Sequence, residues 1–115
     1  MRLSELNPRF LKIHNFTDSG GVDRVEYQTT TLDACDGIQF LCPKCFAANK
    51  GPVGTHAVIC WKPHVPQTIP PVPGRWDFEG TSIDSLSLKA GSSSVLLQSG
   101  CQAHFCIKSG AIEGA

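Results

Sequence analysis

Residues 40–46 read FLCPKCF, a short apolar stretch that carries two cysteines. Two residues separate Cys42 from Cys45, and this spacing lets the chain turn tightly enough for both sulfurs to bind one tetrahedral metal ion. The backbone amides between them are then placed to donate hydrogen bonds to the sulfurs. The stretch predicts one half of a zinc site, with a redox-active cysteine pair or two free thiols as the alternative.

A second metal-binding stretch lies near the C-terminus. Cys101 and His104 have the same spacing as the first pair, with an imidazole as the fourth donor. Together Cys42, Cys45, Cys101 and His104 form a three-cysteine, one-histidine set that is typical of structural zinc, and the ion would tie a central segment to a C-terminal one. A Rieske iron–sulfur site also contains Cys-x-x-His, but its other half is Cys-x-His and not Cys-x-x-Cys, so mononuclear zinc is favoured.

The composition explains why the chain needs such a site. It has 115 residues, with ten basic against ten acidic side chains, 11 Gly, 8 Pro and 6 Cys. A domain of this size has a small hydrophobic core, which a metal ion can supplement. The zero formal charge argues against a nucleic-acid binder, because phosphate contacts need surplus Lys and Arg. The sequence contains no membrane span and no apolar signal-peptide core, which predicts synthesis in a reducing cytoplasm.

Three further cysteines and one histidine have less specific interpretations. Cys60 lies in an apolar run and is expected to be a buried hydrophobic residue. Cys35 stands beside an Asp-Gly turn and is expected to be an exposed thiol. Cys106 follows His104 by two residues and is expected to pack in the core and not to replace a ligand. His56 is either a base or ligand partner at the metal, or a buried histidine bonded to the backbone, and the second interpretation is favoured.

Turn residues and two-residue periodicity predict seven or so short strands and almost no helix. Strands are expected at 24–31, 38–41, 55–61, 76–78, 85–88, 95–97 and, as a closing hairpin, at 105–108 and 111–113. One helical turn is expected at 3–6, capped by Ser4, and another at 46–50, ended by Gly51. The predicted fold is a single, mainly β domain over residues 1–115, a small antiparallel sheet or sandwich with two zinc knuckles.

Residues 62–75 include five prolines, which keep this segment out of a sheet. One interpretation is a surface loop that links two sheet edges. The other is a semi-rigid, extended arm that is presented to a protein partner. The sequence favours neither.

Five segments resemble a family of small proteins encoded by tailed bacteriophages, prophages and some bacteria. They are LSELNPRF at 3–10, FLCPKCF at 40–46, GPVGTHAVICW at 51–61, PGRW at 73–76 and GCQAH at 100–104. Where the family has Gly-Trp between the last cysteine and histidine, this chain has Gln102-Ala103, but both ligand positions are kept. The resemblance implies a phage context and no activity. Members are sometimes labelled ammonia monooxygenase, but this sequence has no copper-type histidine cluster.

These features together predict a non-enzymatic, zinc-stabilised protein-interaction module. The leading hypothesis is an accessory component of a phage particle, either a capsid decoration or a head–tail accessory. It would be made in the host cytoplasm, incorporated in the virion and bound to capsid or tail proteins, with no nucleic-acid or membrane partner. One alternative is an intracellular phage factor that binds a host protein. Another is a small zinc-dependent hydrolase that uses His56, which is disfavoured because four protein ligands leave no position for a catalytic water.

Overall fold

The structure, a computed structural model of the chain, describes residues 1–72, 74–89, 95–96, 101 and 103–114. Its elements are a 3-10 turn (Leu3–Leu6), strands β1 (Arg9–Thr17), β2 (Asp23–Thr30) and β3 (Gly37–Leu41), helix α1 (Pro43–Asn49), and strands β4 (Ala57–Trp61), β5 (Asp77–Glu79), β6 (Ser87–Lys89), β7 (Val95–Leu96), β8 (His104–Lys108) and β9 (Ala111–Gly114). The predicted mainly β, antiparallel class with little helix is confirmed. The positions Pro73, Leu97, Gly100 and Gln102 belong to predicted features but lie outside the described residues.

A four-stranded antiparallel sheet in the order β2-β1-β3-β4 forms the N-terminal half. β1 was not predicted, because the adjacent apolar residues Phe10 and Leu11 break the two-residue alternation that marks a half-buried strand. β1 pairs with β2 along its length, but β3 pairs only with β1 residues 9–11. Residues 12–17 and 23–28 therefore continue beyond β3 as a two-stranded segment, which we call the ribbon.

The C-terminal half consists of the pair β5-β6 and a three-stranded sheet in the order β7-β8-β9. Its buried side chains pack against those of β3 and β4 to form the main core. The members of this core include Leu3, Leu6, Ile38, Phe40, Val58, Cys60, Leu86, Leu88, Phe105 and Ile107. At its centre the Phe40 and Phe105 rings meet edge to face with centroids 6.0 Å apart. Because β3 and β8 face each other here, the residues after β3 and those before β8 come close together.

The two helical segments differ in detail from their predicted positions. α1 begins at Pro43, directly after Cys42, because proline has a helical φ and no amide hydrogen to leave unpaired at a helix start. It ends with Lys50 in the left-handed conformation, one residue before the expected Gly51. At the start of the 3-10 turn the Arg2 amide donates to Glu5 Oε2, so the cap is the Glu5 carboxylate and not Ser4. Within the described residues no helix has the length and apolarity needed to cross a membrane.

The proline-rich segment is a bent loop between β4 and β5, and its described part does not follow the extended path expected of an arm. The Arg75 guanidinium donates to five backbone carbonyl oxygens at 2.7 to 3.0 Å, those of Val65, Pro66, Ile69, Pro71 and Gly74. The Trp61 indole N–H donates to the Pro70 carbonyl at 2.9 Å. Proline lacks an amide hydrogen, so these side-chain donors supply hydrogen bonds that the loop cannot make with its own backbone.

Candidate metal centre

Four potential metal ligands converge where the two halves of the fold meet. Cys42 lies between β3 and α1, Cys45 in the first turn of α1, His56 directly before β4, and Cys101 shortly before β8. Each donor therefore lies at or near the end of a regular element. The pairing of β3 with β4 and the packing of β8 against β3 bring the four together. Three of the four predicted ligands are in this cluster, and the fourth member is His56.

The pairing of β3 with β4 explains how His56 reaches the site. Leu41 and Ala57 are opposite each other in this antiparallel pair, so the residues one step beyond them, Cys42 and His56, are also neighbours. The Cys42 amide donates to the His56 carbonyl at 2.9 Å. This proximity depends on strand register and not on local spacing, so no motif in the sequence displays it.

The donor atoms are spaced as a tetrahedral zinc ion requires. The Cys42 and Cys101 sulfurs are 3.5 Å apart, and His56 Nε2 is 3.4 Å from the Cys101 sulfur. All four donor atoms lie within 4.8 Å of one another. Zinc bonds of about 2.3 Å to sulfur and about 2.0 Å to nitrogen imply donor separations of about 3.8 and 3.5 Å in a regular tetrahedron. The cluster therefore matches zinc in donor chemistry and in size.

The thiols of the cluster differ in their pKa values. The hydrogen bond from His56 lowers the pKa of Cys101 to about 6, against the opposing effect of burial, with smaller contributions from the Ala103 amide and the other two thiols. Burial, as the largest cause, and the neighbouring sulfurs of Cys101 and Cys42 together raise the pKa of Cys45 to about 11. Without metal the cluster thus carries its negative charge on Cys101. A bound cation would ionise the remaining thiols, because thiolate is the form that ligates metal.

A lysine holds the two cysteine segments together. Lys44, between Cys42 and Cys45, donates from Nζ to the Cys101 carbonyl oxygen at 2.8 Å. The contact is exposed and not part of the ligand set. It fixes the backbone of the C-terminal donor relative to α1.

The structure places His104 outside the cluster, and His56 takes the position that was expected for it. His104 is the first residue of β8 and is exposed, whereas Ala103 and Phe105 on either side of it are buried. Successive side chains of a strand point to opposite faces, so burial of Phe105 directs the His104 imidazole toward solvent. The Cys-x-x-His spacing would have required Cys101 and His104 to share a tight turn. Instead His104 lies in a strand, where it pairs with Leu96.

The other cysteines lie apart from the four-residue cluster. Cys60 is completely buried, as predicted, and burial raises its pKa strongly. Cys35, expected to be exposed, is buried beside its turn, and its sulfur donates to the Leu32 carbonyl at 3.2 Å. Cys106 is half-buried on β8.

His56 also differs from expectation, since it was expected to be buried, but it is exposed and its ring contacts the Cys101 sulfur. His64 Nε2 lies 2.8 Å from Asp36 Oδ1, and this contact joins the proline-rich loop to the four-stranded sheet.

Comparison with protein families, curated proteins and solved structures finds no match to this chain.

Proposed function

We propose that Cys42, Cys45, His56 and Cys101 bind a structural zinc ion that fastens the C-terminal half of the fold to the four-stranded sheet. The observation that supports this most is the convergence of three sulfurs and one imidazole nitrogen from separate segments, within 4.8 Å of one another. Three thiolates and an imidazole are a common ligand set for structural zinc. Four protein donors leave no coordination position for a water molecule, so the site favours a stabilising role over catalysis.

The position of the site explains why an ion there would stabilise this fold. Cys101 lies between β7 and β8, and its side chain contacts Cys42 and His56 and also packs against the main core. With zinc bound, Cys101 is held to β3, α1 and β4 at one point. The main core, centred on Phe40 and Phe105, lies directly beneath. The ion and the core thus stabilise the same junction between the two halves.

Metal analysis of the purified chain tests this proposal. We expect about one zinc per chain, and we expect its removal by a chelator to lower the melting temperature reversibly. A chain that purifies without zinc, fails to bind added zinc and melts at the same temperature with and without chelator would contradict the proposal. A parallel measurement on the His104→Ala variant provides the control, since that residue lies outside the cluster.

We propose further that the zinc-stabilised domain is a non-enzymatic accessory protein of a phage particle. The supporting evidence is the resemblance of five sequence segments to phage-encoded proteins, together with a neutral charge balance that suits packing against protein. Mass spectrometry of purified particles tests this role. Detection of the chain at a fixed copy number per particle is the expected result. Its absence from particles, with the chain present in infected cells, would favour the intracellular factor that binds a host protein.

The hydrolase alternative makes a different demand on His56. A general base must keep a ring nitrogen free for a proton, but in the proposed site His56 Nε2 is a metal ligand. The hydrolase would therefore need His56 to leave the ion and a water to take its place. Zinc-dependent hydrolysis of ester or peptide substrates by the purified chain, lost on His56→Ala with zinc retained, would support that alternative.

A further inference from the structure

Among the described residues, no strand pairs with the outer side of β2, which forms one edge of the four-stranded sheet. β2 is eight residues long, and residues 23–29 of it are exposed on both faces. The ribbon extends past β3, so beyond residue 11 of β1 this edge belongs to a two-stranded segment. Two-stranded ribbons are marginally stable alone, and long unblocked edges tend to pair with another strand.

The pattern of backbone hydrogen bonds shows which groups this edge offers. The Asp18 amide donates to the Val22 carbonyl at 2.9 Å and closes the hairpin with a hydrogen-bonded pair. Such pairs alternate along an antiparallel ladder, so Arg24 and Glu26 bond to β1, whereas Val25 and Tyr27 direct their N–H and C=O groups away from it. The hydrogen bonds on the β3 side of β1 are consistent with this pattern. The Leu11 carbonyl accepts from the Asp36 amide and so points away from β2, and Leu11 is opposite Thr29, an odd-numbered residue of β2. Odd-numbered residues of β2 therefore carry the outward-facing groups.

We propose that β2 pairs antiparallel with β2 of a second copy of this chain, about a two-fold axis at Val25. In a continuous sheet, residues that are opposite each other on the two β2 strands must have side chains on the same face. This condition places the two-fold axis at a residue of β2 and not between two residues. An axis at Val25 places Arg24 opposite Glu26 of the second copy, twice. An axis at Glu26 would place two glutamates opposite each other, and one at Tyr27 would pair Glu26 with an uncharged residue. Charge complementarity thus selects Val25.

The side chains of the edge suit this register. Val25 and Tyr27 are 48% and 42% exposed, and pairing would cover both. The Arg24 and Glu26 pairs fall at the non-hydrogen-bonded positions between the two copies, where opposing side chains are closest. Arg24 already contacts Asp18, but that contact engages Nε and not the terminal NH2 groups. The hairpin turn therefore orients Arg24 while its guanidinium end remains available to a partner carboxylate.

Sedimentation equilibrium of the full chain with zinc bound tests the dimer. We expect a monomer–dimer equilibrium at concentrations below about 1 mM, and a symmetric dimer at saturation. Val25→Lys places two ammonium groups together at the axis, and we expect it to raise the dissociation constant at least about tenfold. The matched control is Val53→Lys, which changes a residue that is 87% exposed in a turn outside the sheets and should leave the equilibrium unchanged.

Two more variants test the register and the edge. Glu26→Arg should weaken the dimer about tenfold or more, because it sets Arg24 against a like charge twice, while Asp33→Arg, with the same charge change, should not. Val25→Pro removes an outward-facing N–H without removing a β1–β2 hydrogen bond, so it should give a folded monomer with an unchanged zinc content. A chain that stays monomeric up to about 1 mM would overturn the proposal. A dimer that is unaffected by Val25→Lys and Glu26→Arg would overturn it as well. Neither result bears on the zinc site.

Discussion

Replacement of His56 by alanine is the sharpest mutational test of the site, because the sequence and the structure name different histidines as the fourth donor. His56 Nε2 is 3.4 Å from the Cys101 sulfur, whereas His104 is exposed on the solvent side of β8. Zinc affinity should therefore depend on His56 and not on His104. The two variants delete the same imidazole and differ only in its place in the fold.

The size of the effect follows from the number of donors and their exposure. Structural zinc sites bind with about 10–16 kcal/mol, so each of four donors contributes about 2.5–4 kcal/mol. His56 is exposed, and in its absence a water molecule can take the vacated position and recover part of that energy. A net loss of about 2–3 kcal/mol remains, which corresponds to a zinc dissociation constant raised about 30- to 150-fold.

Competition with a chromophoric chelator at pH 7 measures these constants for His56→Ala, His104→Ala and the unchanged chain. We expect His104→Ala to bind zinc within about twofold of the unchanged chain. Circular dichroism of each zinc-loaded protein establishes that the β fold is retained. Equal losses in the two variants, or a larger loss in His104→Ala, would refute the assignment of His56 as the fourth ligand.

Three further predictions concern pH and packing. Zinc affinity should fall on acidification, because the thiols must lose their protons to bind the ion. Cys45, with its pKa at about 11, releases a proton on binding throughout the neutral range. Cys101, with its pKa at about 6, releases a proton on binding only at lower pH. A plot of log affinity against pH should accordingly steepen by about one proton below pH 6, and an unchanged slope would contradict the ionised state of Cys101. Arg75→Ala should lower the free energy of unfolding by about 2–4 kcal/mol in urea titrations, because it removes five hydrogen bonds to loop carbonyls. Arg75→Lys should restore only part of this loss, and equal stability of the two variants would exclude the multidentate role. Gly37→Ala should cost about 1–3 kcal/mol in the same assay, because its new Cβ would lie 2.4 Å from a buried indole carbon, whereas Gly20→Ala, whose Cβ meets no atom closer than 3.4 Å, should have less than half that effect.

The features of the fold that depend on local pattern could be predicted from the sequence. The antiparallel β class follows from short alternating runs separated by turn residues. The burial of Cys60 follows from its apolar run, and the expectation is met. β1 was missed because Phe10 and Leu11 are adjacent apolar residues that face two different clusters, one on each side of the sheet. A single-face pattern cannot represent such a strand.

Three of the cluster's donors could also be predicted, because Cys42, Cys45 and Cys101 lie in recognisable spacings. His56 could not, because its place beside Cys42 comes from the pairing of β3 with β4, and a strand register is not visible in one sequence. The same limit explains His104, which has the spacing of a ligand but takes the solvent-facing position of a strand. The charged residues of β2, Arg24 and Glu26, were visible in the sequence, but the position of β2 at an edge of the sheet was not.

X-ray absorption at the zinc edge of the purified, metal-loaded chain identifies the ligands of the ion. We expect one zinc per chain with three sulfur neighbours at about 2.3 Å and one nitrogen neighbour at about 2.0 Å. In His56→Ala we expect the outer-shell scattering of the imidazole ring to disappear and a water oxygen to take the place of its nitrogen, while His104→Ala leaves the spectrum unchanged. A coordination shell with fewer than three sulfurs, or an imidazole signal that disappears in His104→Ala and persists in His56→Ala, would contradict this ligand set.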